Sequence, residues 1–116
     1  MTSRTRYYLR LPEPLKARGS DPELAFKSDS ADGLAAELQQ ALRGSELFES
    51  WRARQDDPDA IDSSLGATDA DASVRGSQST LAIELVATTS LPGSVFKHRL
   101  RLLAGSGWEL RDVTAG

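Results

Sequence analysis

The stretch "TLAIELVATT" at residues 80–89 constrains this chain more than any other. Leu81, Ile83, Leu85 and Ala87 alternate with Ala82, Glu84 and Val86, so both faces of an extended segment are largely apolar. A two-residue period with β-branched content predicts a strand, and two apolar faces predict a central one. A second strand is predicted at residues 5–11, "TRYYLRL". There Tyr7, Leu9 and Leu11 share one face, and Arg6, Tyr8 and Arg10 share the other. Pro12 and Pro14 end it, because proline cannot donate to a ladder. "ELAFKS" (residues 23–28) is expected to form a short strand pairing with the first as a hairpin, and "WELRDV" (residues 108–113) a closing strand.

Helical periodicity appears in three places. In "SDSADGLAAELQQALRG", Ala31, Leu34, Ala35, Leu38, Ala41 and Leu42 fall on one arc, with Asp29, Ser30 and Asp32 as candidate N-caps. Gly44 is expected to break this helix, so that "SELFESWRAR" packs elsewhere. A straight helix would instead leave Phe48 and Trp51 uncovered and in need of a partner. The third helix follows "SLPGS", with Ser90 or Ser94 as cap, and ends at Gly105 and Gly107. It directs Phe96, Leu100 and Leu103 to the core and Lys97, His98 and Arg101 away from it. Arg99 falls inside the apolar arc, where its stem can pack and its guanidinium can snorkel or meet Glu84 or Asp112. Residues 55–79 are rich in Asp, Ser, Gly and Ala without periodicity, and read as a long flexible acidic loop.

The expected fold is therefore one α+β domain spanning residues 1–116. It is a two-layer sandwich in which a mixed or antiparallel sheet of about four strands carries two main helices on one face, with a ferredoxin-like plait as the nearest arrangement. A chain of 116 residues and 39% hydrophobic content is long enough to bury such a core. A helix ending in glycine followed by "GWEL" resembles the ending of several small uncharacterised bacterial domains; the likeness covers about ten of the 116 residues and implies no activity.

Several chemistries find no support. The absence of cysteine excludes disulfides, thiolate nucleophiles and zinc–thiolate sites. The start carries no signal-peptide pattern and no stretch has membrane-spanning length, so a cytoplasmic location without membrane association is expected. His98 could serve as a base for Ser94 four positions earlier, but no nucleophile-elbow pattern accompanies the pair. Asp69, Asp71 and Ser73 have the first spacings of a calcium loop, yet Val74 stands where glycine is required and Thr80 where glutamate is required. No glycine pattern matches a phosphate loop. Neither a catalytic site, a metal site nor a cofactor is expected.

Charge is segregated. Residues 1–18 hold five basic residues and one acid, residues 19–74 four and thirteen, and residues 75–116 five and three, within a net charge of −3. The leading expectation is a non-enzymatic protein-binding or accessory module, with Phe48 and Trp51 as a candidate interface for a protein partner or homodimer. The alternative is a nucleic-acid or phosphate ligand held by Arg4, Arg6, Tyr8 and Arg10, with Lys97 and Arg101.

Overall fold

The computed structural model describes residues 3–116. Its elements are β1 (Thr5–Leu11), α1 (Ala31–Arg43), α2 (Glu46–Arg52), β2 (Ser73–Gln78), β3 (Ile83–Thr89), α3 (Gly93–Ala104) and β4 (Glu109–Ala115). Short 3-10 turns lie at Pro14–Lys16, Pro58–Ala60 and Ser63–Gly66. The strands form one antiparallel sheet in the order β2-β3-β1-β4. The two strands with the clearest apolar alternation, β3 and β1, occupy its centre. β1 connects to β2 across β3, and β3 connects to β4 across β1, so the two helix-bearing crossovers interleave.

Tyr7, Leu9 and Leu11 of β1 and Ile83, Leu85 and Ala87 of β3 face α1 and α3 in a single apolar cluster. Leu34, Leu38 and Leu42 enter it from α1, and Phe96, Leu100 and Leu103 from α3. Each such side chain contributes roughly 1.5–3 kcal/mol when fully buried. The rings of Tyr7 and Phe96 stack at 4.1 Å and fix α3 over β1. Among the candidate caps of α1, Ser30 takes the role, accepting the amide of Gly33 at 3.0 Å. The chain breaks at Gly44 as expected, and α2 turns Phe48 into the protein. The N-cap position of α3 is Pro92, which has no side chain able to cap it, and neither Ser90 nor Ser94 takes that role; the Ser90 backbone amide donates to Asp69 at 2.9 Å.

Two segments depart from expectation. "ELAFKS" buries Leu24, Ala25 and Phe26 but is not a strand. The amides of Leu24 and Ala25 both reach the Asp21 carbonyl, and that of Phe26 caps the Leu103 carbonyl of α3 at 2.9 Å. These donors are spent on a turn and a helix end, so no ladder can form. Conversely, the expected loop at residues 55–79 contains β2. The sequence "SVRGSQ" shows no apolar alternation because β2 sits at the edge and contributes little beyond Val74 to the core. What holds it is α1. Gln39 accepts the Val74 amide at 3.0 Å, and Arg43 donates to the Ala72 carbonyl at 2.6 Å. An ideal Cβ on Gly76 would lie 2.3 Å from the Ala31 carbonyl oxygen, so only glycine allows this approach. Among the described residues, no helix is long and apolar enough to cross a membrane.

Candidate anion-binding sheet face

The antiparallel register sorts the outward side chains into rows across the strands. One row runs Ser73, Thr88, Arg6, Thr114; the next runs Arg75, Val86, Tyr8, Asp112; the third runs Ser77, Glu84, Arg10, Glu109. Alternation keeps all twelve on the side opposite the helices. The third row is acidic and internally paired: Arg10 stands between Glu84 and Glu109, with a 3.8 Å contact to Glu109. The first row holds Arg6 among three hydroxyls and no carboxylate.

Arg6, Tyr8, Ser73, Arg75, Val86 and Thr88 together line an open depression of about 420 Å³. Among the described residues, neither Arg6 nor Arg75 has a carboxylate within ion-pair distance. Two unpaired guanidiniums therefore flank an aromatic ring and two hydroxyls on a water-accessible surface. This combination offers charge-assisted donors for phosphate oxygens and a face for stacking. Nothing in it resembles a nucleophile activated by a base.

The residues singled out from sequence divide. Arg6, Tyr8 and Arg10 share the outer face, but Arg10 is partly neutralised. Arg4 is drawn away: its guanidinium lies 3.1 Å from Asp69 and 3.7 Å from Asp71. Lys97 and Arg101 belong to α3, in the helical layer behind the sheet, so they cannot join Arg6 and Tyr8 in one site. Periodicity gives no notice of Arg75, which lies in a segment whose composition predicts a loop and which becomes a strand only through its contacts with α1.

Of the candidate interface pair, Phe48 is a core residue and not a surface one. Phe48 is 1% exposed, with Gly66 against its ring and the Arg99 guanidinium 5.8 Å from its centroid. It offers no surface to another chain. Trp51 is half-buried and packs edge-on against His98 at 4.4 Å. Burial, and secondarily the charges of Arg99 and Arg101, push the His98 pKa below its usual value. Among the described residues its buried Nδ1 has no hydrogen-bond partner, and no bond joins it to Ser94. His98 thus packs edge-on beneath Trp51.

Arg99 meets neither Glu84 nor Asp112. It is completely buried and donates to the carbonyls of Ala41 (2.5 Å), Gly44 (3.5 Å), Leu65 (3.1 Å) and Ala67 (2.7 Å). The negative end of the α1 dipole partly compensates its charge. It ties that helix end to the segment leading to β2. Asp69 is committed to a comparable structural role. It accepts from Thr89 Oγ1 (2.8 Å), the Ser90 amide (2.9 Å), the Asp71 amide (3.0 Å) and Arg4. Burial alone would raise its pKa, but these donors outweigh burial and hold the carboxyl well below the usual range. Its oxygens are turned inward to these donors rather than arranged around a cation.

The chain matches no protein-family model, no curated protein and no solved structure, so the reading of this site rests on its own geometry.

Proposed function

We propose that this protein is a non-enzymatic binding module whose outer sheet face holds single-stranded nucleic acid. Phosphates lie against Arg6 and Arg75, and a base stacks on Tyr8. The observation that supports this most is the register, which gathers two unpaired arginines and Tyr8 around one depression, with Glu84 and Glu109 in the row at the far end and Asp112 across Tyr8 on the side away from the depression. The overall charge of −3 does not decide against it, because local rather than net charge governs short-range contacts at ordinary salt. Fluorescence anisotropy with labelled single-stranded RNA and DNA of mixed sequence tests the reading. We expect binding at low salt that weakens with a slope of about −0.7 in log K against log salt per phosphate neutralised. Arg6→Ala with Arg75→Ala abolishes it, Tyr8→Leu weakens it roughly tenfold through lost stacking, and Arg10→Ala has a smaller effect than Arg6→Ala. No binding at low salt, or binding indifferent to Arg6 and Arg75, sinks the proposal.

A further inference from the structure

The free edge at β4 carries a pattern that the sheet face does not explain. β4 pairs with β1 alone and all seven of its residues are exposed. Leu110 and Val113 are 40% and 46% exposed, although their partners across the ladder, Leu9 and Tyr7, are 1% and 6% exposed. The helical layer covers β1 and stops short of β4, leaving an apolar strip on its core-facing side. In an unbroken strand, two residues three positions apart would face opposite sides. Here the register shifts between Tyr8 and Leu9, and Arg111 is the extra residue of a bulge. Arg111 and Asp112 consequently both line the outer face beside Tyr8, Glu84 and Val86. Glu109 and Thr114, opposite Arg10 and Arg6, are also outward.

From Glu109 to Thr114 the faces thus read outer, core, outer, outer, core, outer. The order is the same in both directions. A two-fold axis normal to the sheet, passing between Arg111 and Asp112, would set Leu110 opposite Val113 of a second copy. The same axis sets Arg111 opposite Asp112 and Glu109 opposite Thr114 of that copy. Every pair then agrees in side, and the central pairs are opposite in charge. A bulge ordinarily protects an edge, because its offset conflicts with a regular partner strand. A second copy carries the same offset, so the conflict disappears in this one register.

We infer that β4 is an isologous interface, through which two copies of this chain join their sheets edge to edge. Sedimentation equilibrium from low micromolar to near-millimolar protein tests this without reference to any ligand. The wild-type chain shows a monomer–dimer equilibrium. Arg111→Asp sets acid against acid twice per dimer and weakens the dimer roughly tenfold or more. Arg111→Asp combined with Asp112→Arg restores it, since the opposed charges are merely exchanged. Far-UV circular dichroism establishes that the variants are folded. A wild-type chain that stays monomeric throughout overturns the inference. So does a dimer indifferent to Arg111→Asp, or one that the charge exchange fails to restore.

Discussion

β2 and β4 both end the sheet, yet they are edges of different kinds. β4 has the composition of a strand, with Leu110, Val113 and Thr114 along its length, and it pairs with β1 without any helix over it. β2 has little strand character. It is a strand because α1 lies against it, with Gly76 under Ala31, Gln39 on the Val74 amide and Arg43 on the Ala72 carbonyl. Local pattern and tertiary contact are therefore alternative sources of the same secondary structure. The edge supported by pattern is left open, and the edge supported by contact is covered.

The contrast can be broken most forcefully at Gly76. Gly76→Val forces a side chain into the Ala31 carbonyl, and we expect urea denaturation to show a loss of about 4 kcal/mol. A loss under about 1 kcal/mol would mean that β2 does not need the close approach of α1. Arg99→Met comes next. It keeps apolar volume but orphans carbonyls at the end of α1 and on the path into β2, and should destabilise by about 3 kcal/mol. Thermal unfolding of the same variant would reveal an unaffected protein if those carbonyls simply rehydrate.

Asp69 anchors the entry to β2, and Asp69→Asn should remove about 2 kcal/mol at neutral pH. The sign with pH follows from its depressed folded pKa. In acid the unfolded chain takes up the proton first, near pH 4, so the contribution is intact above that value and fades as pH falls further. Denaturation midpoints measured between neutrality and acid should decline below about pH 4 in the wild type, and less steeply in Asp69→Asn. Equal slopes would remove Asp69 from the account.

The turn joining β2 to β3 carries a smaller effect of opposite sign. Leu81 has φ of 87° and is 86% exposed, a left-handed backbone borne by a branched residue that packs on nothing. Leu81→Gly should stabilise by about 0.5 kcal/mol, after the greater freedom of the unfolded glycine is subtracted. A net loss in calorimetry would show that Leu81 makes a contact in solution. The least change is expected on the open edge. Val113→Thr, at protein concentrations too low for self-association, should move stability by less than about 0.5 kcal/mol. A larger loss would show that β4 depends on burial after all.

Much of the architecture was legible because its signals are short-range. The alternation at residues 5–11 and 83–87, the cap at Ser30 and the break at Gly44 all depend on neighbours within a turn or two, whereas Leu81, expected on the same face as Ile83, lies in the turn before β3 and is exposed. The site was only half legible. Arg6 and Tyr8 share a face by strand periodicity alone, but their separation from Arg4, Lys97 and Arg101 follows from ion pairing and layering that no local pattern encodes. Arg75 entered only when β2 did.

The sequence by itself determined which segments were amphipathic and with what period, hence the central strands, the helices and the α+β class. Only the tertiary structure decided where polar groups found their partners. It sent the Phe26 amide to the end of α3 rather than to a ladder, Arg99 to four carbonyls rather than a carboxylate, and Arg6 beside Arg75 across β3. The reason is one of range. Hydrophobic periodicity is repeated along the chain and survives any single misreading. A hydrogen bond or a register pair joins residues far apart in sequence, and exists only once the chain has closed around it.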